Sequence, residues 1–185
     1  MKKNPYSLLM MTRSAAVAAL YVALTYVSFF FGLASGAVQF RLSEALTILP
    51  IFMPESVVGL ALGCALANLL TGSTIIDIIF GTLATLLGAL GTRALVRVKR
   101  FPPFLYTLPT IVSNGIIVPM VLTYTIYGEF SHAAFWPLVG SVTLGEAGVC
   151  LIFGTLLYYT LKRHEGKLFP ELMKQRHTDG TQSAE

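Results

Sequence analysis

Along this chain, apolar residues fall into long blocks separated by short polar or turn-rich breaks. The first block runs over residues 12–32 and is followed by a small-residue loop at 33–37. A second block, 42–52, spans only about 16 Å at helical rise and ends in the tight turn Met53-Pro54-Glu55, because proline disfavours helix at the residue before it. A third helix is predicted over 56–70, then a break at Thr71-Gly72-Ser73-Thr74 and a fourth helix over 75–96. The basic, proline-containing link 97–103 leads to a fifth over 104–127. The polar stretch 128–135 precedes a sixth over 136–161. Beyond Lys162 the chain is polar, carries both charge signs, and reads as a short helix or an unordered tail.

Crossing the hydrocarbon of a bilayer takes about 20 apolar residues, and most of these blocks approach that length. Composition agrees: 55% of the residues are hydrophobic and 12% charged, with a mean hydropathy of +0.71. A soluble domain needs more charge to cover its surface. The expected fold is therefore an all-α integral membrane bundle of six transmembrane helices over residues 1–163, with a short polar tail at 164–185. The first helix reads as retained rather than as a cleaved signal.

The net charge of +4 changes the picture only through its placement. Lys2, Lys3 and Arg13 precede the first block; Arg93, Arg97, Lys99 and Arg100 lie between the fourth and fifth; Lys162, Arg163 and Lys167 come after the sixth. Arg41 aside, the alternate loops hold no Lys or Arg. The positive-inside rule then places both termini in the cytoplasm. Clusters of this kind mark orientation and not nucleic-acid binding. Cys64 and Cys150 sit inside apolar blocks and read as small packing residues.

Ionisable and amide side chains within spans are costly and face protein or a water-filled cavity. Gln39, Arg41 and Glu44 open the second block, Asn68 closes the third, and Asp77 opens the fourth. Asn114 and Glu146 fall about 13 Å and 15 Å into their helices at helical rise. Together these seven outline an outward-facing pocket for a small, polar, hydrogen-bonding substrate. Structural readings stand beside that one: an Arg41–Glu44 ion pair three residues apart, Asp77 as a helix cap, and Asn68 and Asn114 as interhelical bridges. Glu146 has no basic residue nearby on its own helix, so it needs a partner, a proton or a ligand. Trp136, Tyr124, Tyr127 and Phe135 fit an aromatic belt at the membrane surface.

Ala15, Ala19 and Ala23 recur every fourth residue and make a small-residue stripe, which lets another helix approach closely in lipid. The sequence has no GxxxxGK[ST] loop, no HExxH pair and no GxSxG elbow, so neither P-loop nucleotide hydrolysis nor these hydrolase chemistries are expected. No cofactor or metal is expected either.

Five runs carry a family resemblance: FRLSEALTILP (40–50), the Pro54-Glu55 turn, GCALANLLTG (63–72), DIIFGTLATLLGA (77–89) and GEAGVCLIFGTLLYYTLK (145–162). In order and near-normal spacing, over about residues 13–163, they resemble the QueT family. Its members are substrate-binding S components of energy-coupling factor (ECF) transporters. The resemblance implies capture of a queuosine precursor, a 7-deazaguanine base, from outside. It also implies docking on a transmembrane coupling subunit and two cytoplasmic ATPases, by toppling of the S component. Ala15, Ala19 and Ala23 match the AxxxA stripe with which such components dock. Glu146 or Glu44 is expected on the donor edge of the base, Asp77 as a second acidic contact, and Asn68 and Asn114 as completing groups. The alternatives are an S component for another vitamin-like ring compound and a self-sufficient carrier.

Overall fold

The computed structural model describes residues 5–33, 40–98 and 101–169. These are helical throughout, with no strand among them. Helix α1 (Pro5–Phe30) is followed by a 3-10 helix (Leu42–Ile51) and by α2 (Ser56–Leu70) and α3 (Ile75–Val98). A short 3-10 turn, Pro103–Thr107, leads into α4 (Leu108–Tyr127). Helix α5 runs over His132–Arg163 and contains a π-helical stretch at Val149–Gly154. A last short turn, α6 (Glu165–Leu168), ends the described chain.

Among the described residues, four helices are long and apolar enough to cross a membrane: Leu8–Phe30, Ile75–Val98, Pro103–Tyr127 and His132–Arg163. The other two expected spans are the shorter apolar helices Leu42–Ile51 and Ser56–Leu70. Exposure is sorted as lipid requires. Phe30, Val58, Leu62, Ile75, Ile79, Leu144 and Ile152 are all more than half exposed, whereas Ser43, Glu44, Thr47, Thr85, Thr92, Thr110, Asn114 and Glu146 are buried. Without water, polar side chains must find partners inside the bundle.

Helix ends have local causes. Helix α1 starts at Pro5, ahead of the expected boundary, where a proline at the first turn costs no hydrogen bond, and it ends in a glycine-terminated cap. Gly32 adopts φ +67°, its N–H bonds to Phe29 O at 3.0 Å and the Leu33 N–H to Ser28 O at 2.9 Å. These two reversed bonds occupy carbonyls that the helix end leaves free. Helix α2 keeps its expected bounds and ends the same way at Gly72 (φ +75°).

The second block is the main departure from expectation. It is a 3-10 helix of 10 residues, whereas such runs rarely exceed three or four. At a rise of about 2.0 Å per residue it reaches roughly 20 Å, further than the same residues would as α-helix. Residues Ser43 to Pro50 are all buried within it, because it threads the centre of the bundle against α1, α2, α3 and the π stretch of α5. A three-residue period stacks every third side chain, so Glu44, Thr47 and Pro50 form one column, with the extended N-cap residue Arg41 ahead of it. The Thr47 hydroxyl donates to Glu44 O at 2.6 Å, tightening the turn beneath the carboxylate.

Close helix approach depends on small residues. A Cβ on Gly59 would lie 2.5 Å from Ser14 O, and one on Gly63 would lie 2.8 Å from Tyr21 Cβ. The Gly59–Gly63 spacing is the small-xxx-small pattern that lets backbones meet in lipid, and it seats α1 directly on α2. The Ser14 hydroxyl fixes the same crossing by donating to Glu55 O at 2.7 Å.

Candidate functional site

A buried polar cluster forms where the 3-10 helix meets the surrounding helices. Glu44 supplies its centre, at 1% exposure. Its Oε1 accepts hydrogen bonds from the Tyr21 phenol of α1 and from Thr85 of α3 at 3.2 Å. Its Oε2 is fully buried and has no hydrogen-bond partner. Asn114 of α4, 2% exposed, stands close enough to interact with this carboxylate, although its buried Nδ2 makes no hydrogen bond of regular length and angle.

Glu146 of α5 comes within electrostatic reach of Glu44. Cys150, one turn later and inside the π stretch, links the two: its thiol lies 3.8 Å from Glu146 Oε2 and 3.7 Å from Glu44 O. A π turn shifts the side chains around it off the α-helical register and is common at functional sites. Here it brings Cys150 against the 3-10 backbone, while Gly154 packs where a Cβ would sit 3.6 Å from Ala45 O. Arg41 is half-buried at the head of the column and acts electrostatically on both carboxylates and on Tyr21.

Of the seven residues expected to line one pocket, Arg41, Glu44, Asn114 and Glu146 are brought together. Asn68 is at its margin: it is buried, donates to Cys64 Sγ at 3.5 Å, and packs where a Cβ on Gly81 would be 3.0 Å away. Cys64 in turn lies 3.4 Å from the Thr85 hydroxyl. Asp77 stands apart. Its Oδ2 accepts from the Thr74 hydroxyl at 2.6 Å and from the Thr74 N–H at 3.3 Å, and its own N–H bonds back to Thr74 Oγ1 at 3.2 Å. That reciprocal pattern is a capping box, and Thr85, the α3 contact of Glu44, is about 12 Å further along the helix. Gln39 lies outside the described residues.

The Arg41–Glu44 interaction is a through-space one, with no direct ion pair between them among the described residues. Both cysteines are buried, as expected of packing residues, and they also border the cluster. Sequence reasoning missed Tyr21 and Thr85, whose hydroxyls vanish into apolar spans. The available signal was a tyrosine at mid-helix, away from the membrane surfaces where aromatic belts form.

The geometry provides two buried carboxylates, a guanidinium and an amide, with one acceptor and one donor atom lacking a regular hydrogen bond. Leaving a buried polar group without a partner costs about 1–3 kcal/mol, so a ligand that satisfies both is favoured on that account alone. Away from the cluster, Ala15, Ala19 and Ala23 are exposed. Ala15 and Ala19 line an apolar groove of about 520 Å³ between α1 and α2, with Val22, Leu62, Leu66 and Leu69. The inner packing of α1 uses other residues, among them Val17, Ala18, Tyr21, Thr25 and Ser28.

No solved structure matches the chain. It is 39% identical over 72 residues to the Queuosine precursor transporter QueT of Lactococcus lactis subsp. cremoris (strain MG1363), an alignment covering 39% of this chain and 42% of that protein. The chain thus aligns with less than half the length of this relative. The QueT transporter family matches over residues 11–163, which takes in every described part of the buried cluster. This multi-pass membrane protein belongs to the QueT transporter family.

Proposed function

We propose that this chain captures a queuosine precursor, a 7-deazaguanine base, in the cluster around Glu44 and passes it to a separate energising module. The observation that carries this reading is Glu44 Oε2, a buried acceptor without a regular hydrogen bond, with the amide of Asn114 poised beside it. A 7-deazaguanine offers an N–H and an exocyclic amino group as donors on one edge, and a carbonyl next to that N–H as an acceptor. Carboxyl acceptors such as Glu44 and Glu146 suit the first, since each carboxyl oxygen accepts from an N–H. Asn114 and Arg41 suit the carbonyl. The family and the relative's name support this substrate class.

The energising module would be an ECF coupling subunit with two ATPases, in keeping with a chain that has no nucleotide loop of its own. The exposed row Ala15, Ala19, Ala23 supports docking through α1, because small side chains allow a partner helix close approach.

Calorimetry on the purified protein tests the first part, with 7-deazaguanine bases, guanine and common vitamins as ligands. Binding of the deazaguanines alone is expected. Tight binding of an unrelated vitamin with no response to the deazaguanines would replace this reading with the other S-component one. For the second part, Ala19→Trp is expected to bind ligand normally but to abolish uptake and co-purification with a coupling subunit. Normal uptake by that variant, or ATP-independent uptake by this chain alone in liposomes, would remove the docking role.

A further inference from the structure

We propose that Tyr21 is a positioning residue for ligand capture: its phenol holds Glu44 Oε1, so that the carboxylate offers Oε2 alone and grips a single N–H of the ligand. The inference rests on the reading above, that the ligand is a 7-deazaguanine base. Tyr21 is 1% exposed and its hydroxyl donates to Glu44 Oε1. Thr85 is a weaker claimant to the same oxygen. Its one hydroxyl proton has two acceptors in reach, Glu44 Oε1 at 3.2 Å and Cys64 Sγ at 3.4 Å. Tyr21 therefore decides how the carboxylate is held.

The hold is a rigid one. A tyrosine ring has few rotatable bonds, and the Tyr21 backbone is pressed onto α2 at Gly63, where a Cβ would sit 2.8 Å from Tyr21 Cβ. On its other side the carboxylate is open, because Oε2 is buried and unpartnered. Fork-like pairing with two neighbouring N–H groups needs both oxygens of a carboxylate. With Tyr21 donating to Oε1 and Thr85 3.2 Å from the same oxygen, both lone pairs of that atom are engaged, and Glu44 cannot pair in that way. The exocyclic amino group of the base must then find another acceptor. Glu146 is the carboxylate within electrostatic reach of Glu44, and Cys150 couples the two positions. Recognition of the donor edge is thus divided between α5 and the 3-10 helix, with α1 setting the division.

The test compares 7-deazaguanine with 7-deazahypoxanthine, which lacks the exocyclic amino group, by calorimetry on the full chain. Glu146→Gln leaves Tyr21 untouched and is expected to remove most of the preference for the amino-bearing base. Tyr21→Phe is expected to weaken 7-deazahypoxanthine binding about tenfold, the equivalent of one hydrogen bond. In Tyr21→Phe/Glu146→Gln a lone pair of Glu44 Oε1 is released beside the open Oε2, and the preference for 7-deazaguanine should return. A merely structural Tyr21 would lower the melting temperature without moving the selectivity. Glu146→Gln retaining the full preference would overturn the inference while leaving the substrate class intact, as would Tyr21→Phe binding both bases like wild type. Wild-type protein that binds neither base would instead remove the proposed function, and the inference with it.

Discussion

Arg13 and Glu44 both lie on helices facing the bundle interior, but their surroundings differ in kind. At the end of the bundle that holds Arg13, charged side chains engage one another, the backbone and aromatic rings, although Arg93 Nε is buried without a partner. Arg13 pairs with Glu55 at 3.5 Å, donates to Leu168 O at 3.4 Å, and lies 5.6 Å from the Phe169 ring centre. That ring stacks on Phe52, which also meets Tyr158. Nearby, Arg93 donates to Pro50 O at 3.3 Å and closes the foot of the 3-10 column. Around Glu44 an acceptor and a donor lack a regular hydrogen bond. Matched groups hold helices together; unmatched buried groups await something that matches them. The contrast separates a structural fastening from the proposed binding site within one chain, although both are built from the same residue types.

Substitutions should expose that contrast in order of size. Glu44→Gln removes an acceptor oxygen and sets a buried N–H against the ligand's donors, so it is expected to weaken deazaguanine binding about 100-fold, within the roughly 1–3 kcal/mol of a buried unsatisfied group. Glu146→Gln, which keeps Glu44 in place, is expected to cost about tenfold by the same calorimetry. Unchanged affinity in both would place the ligand elsewhere in the bundle. Arg13→Ala breaks a partly solvated ion pair and a cation–ring contact, so the expected loss is about 1 kcal/mol of stability with ligand affinity intact. A fall in affinity with the melting temperature unmoved would erase the distinction between the two regions. The smallest effect is expected of Asp77→Asn. It weakens a helix cap by about 0.5–1 kcal/mol and should not change binding, which a thermal melt and one titration will check. Lost binding in this variant would return Asp77 to the site.

Much of the bundle was legible because breaks are written locally. Pro54, Gly72 and the Gly128–Ser131 stretch end or begin helices for reasons carried by a few residues, and the third helix falls at its expected bounds. The hydrogen-bond register inside an apolar block was not legible. Where every position is buried, as from Ser43 to Pro50, hydrophobicity has no periodicity to distinguish α, 3-10 and π turns. The site suffered from the same blindness. Glu44, Asn114 and Glu146 stood out because charges and amides are costly in lipid. Tyr21, Thr85 and the two thiols did not, since hydroxyls and thiols satisfy themselves within a single helix, as Thr25 does with Tyr21 O at 2.9 Å. Asp77 is the opposite case: its charge drew notice, and it lies at a helix start where Thr74 engages it, as the cap reading has it.

The 3-10 helix also determines how the family could vary this protein without losing it. With about three residues per turn, inserting or removing one residue before Glu44 would turn its side chain by about 120°, away from Tyr21, Thr85 and Asn114 together. Removing three would restore its bearing but draw it back by about 6 Å along the axis. Length changes in this segment are thus quantised, and viable relatives should keep the interval from Arg41 to Pro50 fixed while the neighbouring loops drift in length. The ten-residue segment works as the indexing shaft of the site, the part that tolerates new side chains far better than a new count.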